Sequence, residues 1–434
     1  MSHPVDPSPA APPPGPLPVV LAGARGHGRT HLVNIHRLEQ AGLVRLVGIC
    51  ELTPLSAEEL AGFGTPEQSD DFAGLLKRTG ARVAVVCTPI HTHTELALVA
   101  ADHGVHTLLE KPTTPSYGEF ERLLAGLAER GTACQVGFQS LGSGAVDAIR
   151  RLVTDGAIGT VRGIGAAGAW VRDDAYYRRV PWAGRRSLNG RDVVDGVLTN
   201  PLAHAVATAL RLDGSERAED IAGIELEQFR ANDIEADDTS CLRVRTARGT
   251  RITVAVTLCA ERAGEPYVVV HGSRGRITFW YKQDRVLVEH ADGGTHDDDG
   301  AADGSGASGT SPAGTSPAGT SPAGTDPAGT DPAGTVHGRT DLLENLVAHL
   351  RDGTELLVPA PRTGAFMRIV EAIRTGPPPT PLPAGAWHTV PGEKAPRRVV
   401  RGIDALVAAS ADTLSTFSEL GAGWAAPPTE VHPR

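Results

Sequence analysis

The sequence predicts two fold classes in series: an α/β domain on a doubly wound parallel sheet, then an α+β domain on a mostly antiparallel open sheet. Three observations carry this. Between residues 19 and 140, short runs that are apolar throughout alternate with helix-length segments, the pattern of a parallel sheet covered on both faces. Between residues 223 and 290, strand-like runs follow one another across short turns such as Ala247-Arg248-Gly249, which makes antiparallel hairpins. The 434 residues suit two or three domains.

In order, the first strand is residues 17–22, followed by a glycine turn and a helix over 28–40. Residues 44–50 are a second strand. Segments 57–61 and 71–79 have helical character, and 83–87 is a third strand. A helix over 93–103 closes at Gly104. Strand 105–109, helix 116–130 and strand 134–138 complete the first domain. Helix 145–154 ends at Gly156, 161–171 alternates as a strand, and 203–210 is helical. Six strands follow at 223–230, 239–246, 251–259, 267–271, 276–280 and 285–290. Helical patterns return at 340–351, 364–374 and about 402–419. The expected division is a disordered Pro-rich lead-in (1–18), a dinucleotide-binding domain (19–140), a substrate and oligomerisation domain (141–290 with 337–425), and a disordered insertion (291–336). Within the insertion, 309–333 is five tandem copies of Gly-Thr-(Ser or Asp)-Pro-Ala. Such a segment buries too little to repay the entropy of ordering. It reads as a neutral expansion of a surface loop, or alternatively as a linker or partner-binding arm.

Composition excludes several classes. Apolar residues at 40% and charged residues at 21% are ordinary for a globular protein. A formal charge of −10 argues against a general nucleic-acid surface. No apolar run reaches the roughly 18 residues of a membrane span, and the lead-in lacks the pattern of a secretion signal. Cys50, Cys87, Cys134, Cys241 and Cys259 include no CxxC pair and read as buried free thiols in a reducing compartment, the cytoplasm. No metal site is expected. His91 and His93 lack a completing ligand set, and Asp297, Asp298 and Asp299 lack the alternating spacing of a calcium loop.

The turn after the first strand carries the chemistry. Gly23-Ala24-Arg25-Gly26-His27-Gly28 fits the strand–Gly-x-Gly-x-x-Gly–helix pattern at its first and third glycines, with Arg25 in the second place and Gly26 one place late. Arg25 fits if its side chain points away, and Gly26 is then the candidate for close approach to a pyrophosphate. Gly28 lets the helix pack on the strand. The helix start offers N–H groups and a partial positive charge to the phosphates. Glu51 ends the second strand, where a carboxylate accepts both ribose hydroxyls and repels a 2′-phosphate. This favours NAD over NADP, with a plain loop acid as the alternative. Thr88 and Pro89 wall the crevice. His93 begins a helix there, and Glu110-Lys111-Pro112 ends the fourth strand on the same edge.

This order of motifs resembles the glucose–fructose oxidoreductase / inositol dehydrogenase / rhizopine catabolism family, over nearly all of 19–290 and more loosely 337–425. Gly156-Ala157-Ile158-Gly159 and Ile373-Arg374 agree with it. The resemblance implies a Rossmann domain, a second domain whose open sheet forms a dimer or tetramer surface, and NAD(P)-linked hydride transfer on sugars, cyclitols and related polyols. It implies cofactor contacts from Gly23, Arg25, Gly26, His27, Gly28, Glu51, Thr88, Pro89, His93, Glu110 and Lys111, and catalysis by Lys111 and His204. Where the family usually shows Asp-x-Gly-x-His, this sequence has Asn200, Leu202 and His204, and Asp195 lies in the wrong register. Asn200 cannot take a proton but can orient a hydroxyl. His204 is the expected base because its reference pKa, about 6.5, lies nearest working pH. Lys111 is the expected alkoxide stabiliser and the second candidate base. Trp170, Arg172, Tyr176, Tyr177, Trp182 and Arg185 gather aromatic faces and guanidinium forks suited to a sugar ring and its hydroxyls or carboxylate. Burial in the core or a subunit contact explains them equally well. Two other functions stay open: non-redox sugar chemistry with retained NAD, and dinucleotide-dependent regulation without turnover.

Overall fold

The computed structural model describes residues 15–291 and 334–431. The lead-in before residue 15, the five-copy repeat and Asp297–Asp299 lie outside the described residues.

Six parallel strands form the first sheet: β1 (Leu17–Ala22), β2 (Val44–Cys50), β3 (Glu67–Ser69), β4 (Val83–Val86), β5 (His106–Leu109) and β6 (Cys134–Val136). Their order is β3-β2-β1-β4-β5-β6. The connection direction reverses between β1 and β4, which opens a crevice at their C-terminal ends. Helices α1 (Gly28–Gln40), α2 (Phe72–Thr79), α3 (His93–Asp102) and α4 (Tyr117–Arg130) cover the sheet. Val19 and Leu21 face one core while Val20 and Ala22 face the other, which is why the strand is apolar at every position. Asp71 and Ser116 cap α2 and α4 by accepting the N–H of Gly74 and Glu119, and Gly80 and Gly131 close them in left-handed conformation. Segment 57–61 is a run of turns, not a helix, and β3 was not expected. β1 also takes in residues 17 and 18, which the expected division gave to the lead-in.

After α5 (Gly144–Thr154) and β7 (Val161–Ala169), a long loop carries α6 (Asp174–Arg178) and a small hairpin, β8 (Ser187–Leu188) with β9 (Arg191–Asp192). α7 (Ala203–Asp213) follows. The second sheet then adds β10 (Ile221–Arg230), β11 (Thr239–Thr246), β12 (Arg251–Thr257), β13 (Tyr267–Gly272), β14 (Gly275–Trp280), β15 (Arg285–His290) and β16 (Thr335–Val336). Beyond it come α8 (Leu342–Asp352), α9 (Gly364–Thr375), β17 (Thr380–Pro381), the hairpin β18 (Trp387–Val390) and β19 (Arg397–Val400), α10 (Ile403–Thr413) and β20 (Thr429–Val431). The sheet order is β16-β15-β14-β13-β7-β12-β11-β10-β17, with β20 also on β10. Adjacent strands are antiparallel except at β7–β12 and β10–β17. β16 falls in the segment expected to be a structureless insertion.

Two features depart from expectation. The chain after β16 returns to the first sheet: Val136 N–H donates to Val358, and Gln135 Nε2 donates to Asn345 Oδ1 at 2.5 Å. Residues 337–363 were assigned to the second domain, yet they fasten the first to it. The second sheet has open edges as expected, but its outer face is not bare. Ala167, Phe229, Cys241, Ala255 and Val269 pack against Leu382, Val400, Ile403, Val407, Ala411 and Phe417 of the C-terminal segment. A side chain at Gly165 would lie 2.0 Å from the Ala411 carbonyl, so the glycines of β7 are what let α10 lie on the strand. The expected helix over 402–419 stops at Thr413, because Leu414 turns left-handed at φ 57°.

Candidate active site

The glycine turn is built by close contact. Gly23 has φ 83°, and a Cβ there would lie 2.3 Å from the Cys87 carbonyl oxygen. A Cβ at Gly28 would lie 1.8 Å from the Gly23 carbonyl oxygen. These two glycines let strand, turn and helix touch. Gly26 also has positive φ, 57°, but a Cβ there meets nothing within 4 Å. It supplies the turn conformation, and the space beside it is open. Arg25 leaves the turn as required: its guanidinium binds Glu59 at 2.8 and 3.0 Å and the carbonyl of Thr53 at 2.9 Å. α1 starts with no side-chain cap and no acid in its first turn. Glu51 Oε1 accepts the N–H of Ala24 at 2.6 Å and of Arg25 at 3.3 Å, so the acid at the end of β2 is fixed against the turn. An uncapped helix start, two glycines at steric contact and a fixed acid beside them fit a dinucleotide.

Glu110 is the buried hub behind this turn. Its Oε1 accepts from His31 Nε2 at 2.8 Å and Gln139 Nε2 at 2.9 Å, with His27 Nε2 at 3.4 Å, and Oε2 takes the Lys111 N–H at 3.1 Å. Burial alone would raise its pKa, but the hydrogen bonds from His27 and His31 hold it well below the carboxylate range. A Cβ at Gly137 would lie 2.6 Å from this carboxylate, so the glycine after β6 makes room for it. The ligand atoms of His27, His31 and Glu110 lie within 4.8 Å of one another, near enough to share a divalent cation. Their separations are those of hydrogen bonds. His93 was expected at the cofactor. Instead it is buried, with Nδ1 3.0 Å from the Pro112 carbonyl and Nε2 2.9 Å from the Thr88 carbonyl. Both ring nitrogens are engaged in joining the loops after β4 and β5. Thr88 itself borders the turn, 3.2 Å from the Cβ position of Gly23, and Pro89 is exposed at the lip.

Lys111 Nζ crosses to the second domain. It donates to Asn200 Oδ1 at 2.5 Å and to the Asn200 carbonyl at 2.8 Å. Asn200 Nδ2 donates to Asp195 Oδ1 at 2.6 Å, and Asp195 Oδ2 accepts the Gly184 N–H at 2.7 Å. Asp195 is therefore part of the site, against the expectation that its register kept it out. A spacing of five residues through a turn carries no helical or strand phase that sequence could read. His204, on the first turn of α7, has Nδ1 3.1 Å from Ser140 Oγ, which accepts from Thr208 Oγ1 at 3.1 Å. Burial, with Lys111 beside it, lowers His204 to about 3. Burial also lowers Lys111, opposed by the charges of Glu110 and Asp195. Tyr281, unremarked in the sequence, lies with its ring 6.4 Å from that of His204, and its buried hydroxyl has no partner among the described residues.

The aromatic and arginine cluster resolves into a ladder and a remainder. The Arg172 guanidinium lies 5.1 Å from the Trp170 ring and 4.9 Å from Tyr176, and that of Arg179 lies 3.6 Å from Tyr176 and 5.3 Å from Trp182. Neither arginine has a carboxylate within ion-pair distance among the described residues, and Arg172 Nε is buried without a partner. Tyr177 lies under Gly184, 3.1 Å from its Cβ position, packed on the core. Arg185 is paired with Glu235 at 2.7 Å. Both line a cavity together with Arg179.

Residues 17–138 match the model of the "Oxidoreductase family, NAD-binding Rossmann fold", and residues 146–278 match the "GFO/IDH/MocA C-terminal domain". The chain is 25% identical over 268 residues to levoglucosan dehydrogenase of Pseudarthrobacter phenanthrenivorans, covering 56% of this chain and 67% of that protein. It is 32% identical over 114 residues to scyllo-inositol 2-dehydrogenase (NAD(+)) of Bacillus subtilis, covering 26% of this chain and 33% of that one. In fold it is similar to the WlbA dehydrogenase from Bordetella pertussis in complex with NADH and UDP-GlcNAcA, with TM-score 0.62, 18% identity, and coverage of 82% and 95%.

Proposed function

The chain belongs to the glucose–fructose oxidoreductase / inositol dehydrogenase / rhizopine catabolism family of oxidoreductases, and on that premise we propose that it moves a hydride between NAD and a secondary alcohol of a sugar, cyclitol or related polyol. One observation carries the reading: Lys111, at the sheet edge beside the glycine turn, is held across the cleft on Asn200, with His204 next to it. In this reading Gly23 and Gly28 admit the pyrophosphate to the start of α1. Glu51 Oε2, 3.9 Å from Arg25 Nη1, accepts from the adenosine ribose, disfavouring NADP. When bound, NAD would supply the hydride acceptor for the alcohol carbon, whose oxidation to a carbonyl releases a hydride and the hydroxyl proton. Lys111 Nζ takes the hydroxyl proton, since burial favours its neutral form. His204 is neutral above about pH 3. In the tautomer in which Ser140 donates to Nδ1, the His204 proton sits on Nε2 and can be donated to the substrate oxygen. The two roles are thus exchanged relative to reference pKa values. Arg172 and Tyr176 read the ring, and Trp170 and Trp182 flank it. All five cysteines are free, which supports a reducing, cytoplasmic setting.

The test mixes purified protein with NAD and a panel of sugars, sugar acids and cyclitols, following absorbance of the reduced cofactor. Net NADH formation is expected. Product without net NADH would assign a non-redox reaction with retained cofactor. Saturable NAD binding without turnover of any compound would assign a regulatory protein. No NAD binding by calorimetry would remove the enzyme reading altogether.

A further inference from the structure

We propose that Asp195 is a positioning residue for Lys111, acting through the side-chain amide of Asn200. The inference rests on the reading of Lys111 as the proton acceptor and adds a residue to it.

With the lysine protonated and the acid ionised, the geometry has one consistent assignment of donors. A lysine ammonium only donates and an ionised carboxylate only accepts. Asn200 lies between one of each, at 2.5 Å from Lys111 Nζ and 2.6 Å from Asp195 Oδ1. Its amide must then turn Oδ1 to the lysine and Nδ2 to the acid. Without Asp195, nothing on that side distinguishes the two amide orientations, and the flipped one sets an NH₂ group against the ammonium. Asp195 is buried, and both its oxygens receive N–H donors, from Asn200 and from the Gly184 backbone. Burial raises its pKa, and those donors oppose the rise. With Oδ1 and the Asn200 carbonyl each taking one N–H, the ammonium is held by two bonds and keeps one proton for the substrate oxygen. The residue at 200 is an amide, yet the lysine still has a carboxylate one hydrogen bond further away.

Besides Asp195, the ionisable groups acting on Lys111 are Glu110, Cys87, His27 and His204. Those acting on Asp195 besides Lys111 include Arg179, with Tyr176 and Tyr177 near it. None of these changes in the test, which exchanges the acid and the amide. In Asp195→Asn the lysine loses a negative charge that favours its protonated form. Its titration midpoint, followed by NMR of protein carrying ¹³C-labelled lysine and assigned with Lys111→Arg, should fall. The alkaline-rising limb of kcat should move to lower pH with it, and kcat should drop roughly tenfold or more. The double exchange Asp195→Asn with Asn200→Asp restores acceptor to lysine, donor to acid and acceptor to Gly184. It should recover kcat to within about threefold, a difference of under 1 kcal/mol, with the limb shifted to higher pH. An unchanged Lys111 midpoint in Asp195→Asn, or a folded, NAD-binding double variant as slow as the single, overturns the proposal. Should Asp195→Asn fail to fold, Asn200→Asp alone carries the test: the midpoint must rise, and no rise overturns it. The NMR readout needs no substrate, so it stands even if the wild-type chain turns over no polyol, which would count against the reaction and not against this linkage.

Discussion

At the scale of single residues, the turn offers a contrast between two nearby glycines, Gly26 and Gly28. Gly28→Ala puts a methyl group 1.8 Å from the Gly23 carbonyl, which only a backbone shift can relieve. It should cost about 1–3 kcal/mol of stability, the range for overpacking, and abolish calorimetric NAD binding. Gly26→Ala has open space around it and only the left-handed conformation to bear, about 1–2 kcal/mol, and should keep measurable NAD affinity. Equal losses in the two variants would mean that the close contact at Gly28 is not what shapes the site. Sequence located the turn, Glu51 and Lys111, because each sits at the end of an apolar run and the motif has fixed spacing. It could not show that Gly23 is needed for space as well as for backbone angle, since that depends on the Cys87 carbonyl, distant in sequence. Asp195 escaped for a like reason: its link to Lys111 passes through the amide of Asn200.

At the scale of elements, the loop carrying α6 sets the substrate reading. The short helix is capped by Asp173, whose Oδ1 accepts the Tyr176 N–H at 3.1 Å, and this aims Tyr176 between Arg172 and Arg179. Two guanidiniums stacked on one ring without a carboxylate partner suit an anionic substituent. A sugar acid should therefore show a lower KM than its neutral parent, and Arg172→Gln should raise KM for the acid about tenfold or more while moving that of the neutral sugar little. Equal KM values for both substrates would sink the anionic reading. The cluster was legible by composition, with aromatics at 4% of the chain. Its division was not, because Tyr177 and Arg185 differ from Tyr176 and Arg172 only in what they meet in space. Strands buried on both faces were read almost to the residue. Segment 57–61 misled because helical composition over five residues lacks the length to commit to a helix. β18 and β19 were missed because each is only four residues long, in a stretch punctuated by proline.

For the whole molecule, the C-terminal segment decides how the second sheet is finished. β17 and β20 pair with β10, and α10 lies across β7 and β12, so the central strands are covered on one face by α7 and on the other by α10. The family resemblance led to an exposed sheet for self-association. Here residues 382–417 cover one face of the central strands, so a second copy would meet that segment or the open edges of the sheet. Light scattering on the full chain should return a multiple of the 45.2 kDa of one copy; the mass of one chain would remove the self-association reading. Removing residues 380–431 uncovers Phe229, Cys241 and Val269 and should bring self-association or precipitation. A truncated chain that stays monodisperse with an unchanged melting temperature would show that the cover contributes nothing.

A cover made from the same polypeptide has a further effect when copies are scarce. Where a neighbouring subunit supplies such a piece, dilution strips it away. Here it is tethered, always at hand at the same effective concentration. The middle of the second sheet should therefore stay closed on dilution, whatever assembly the copies form.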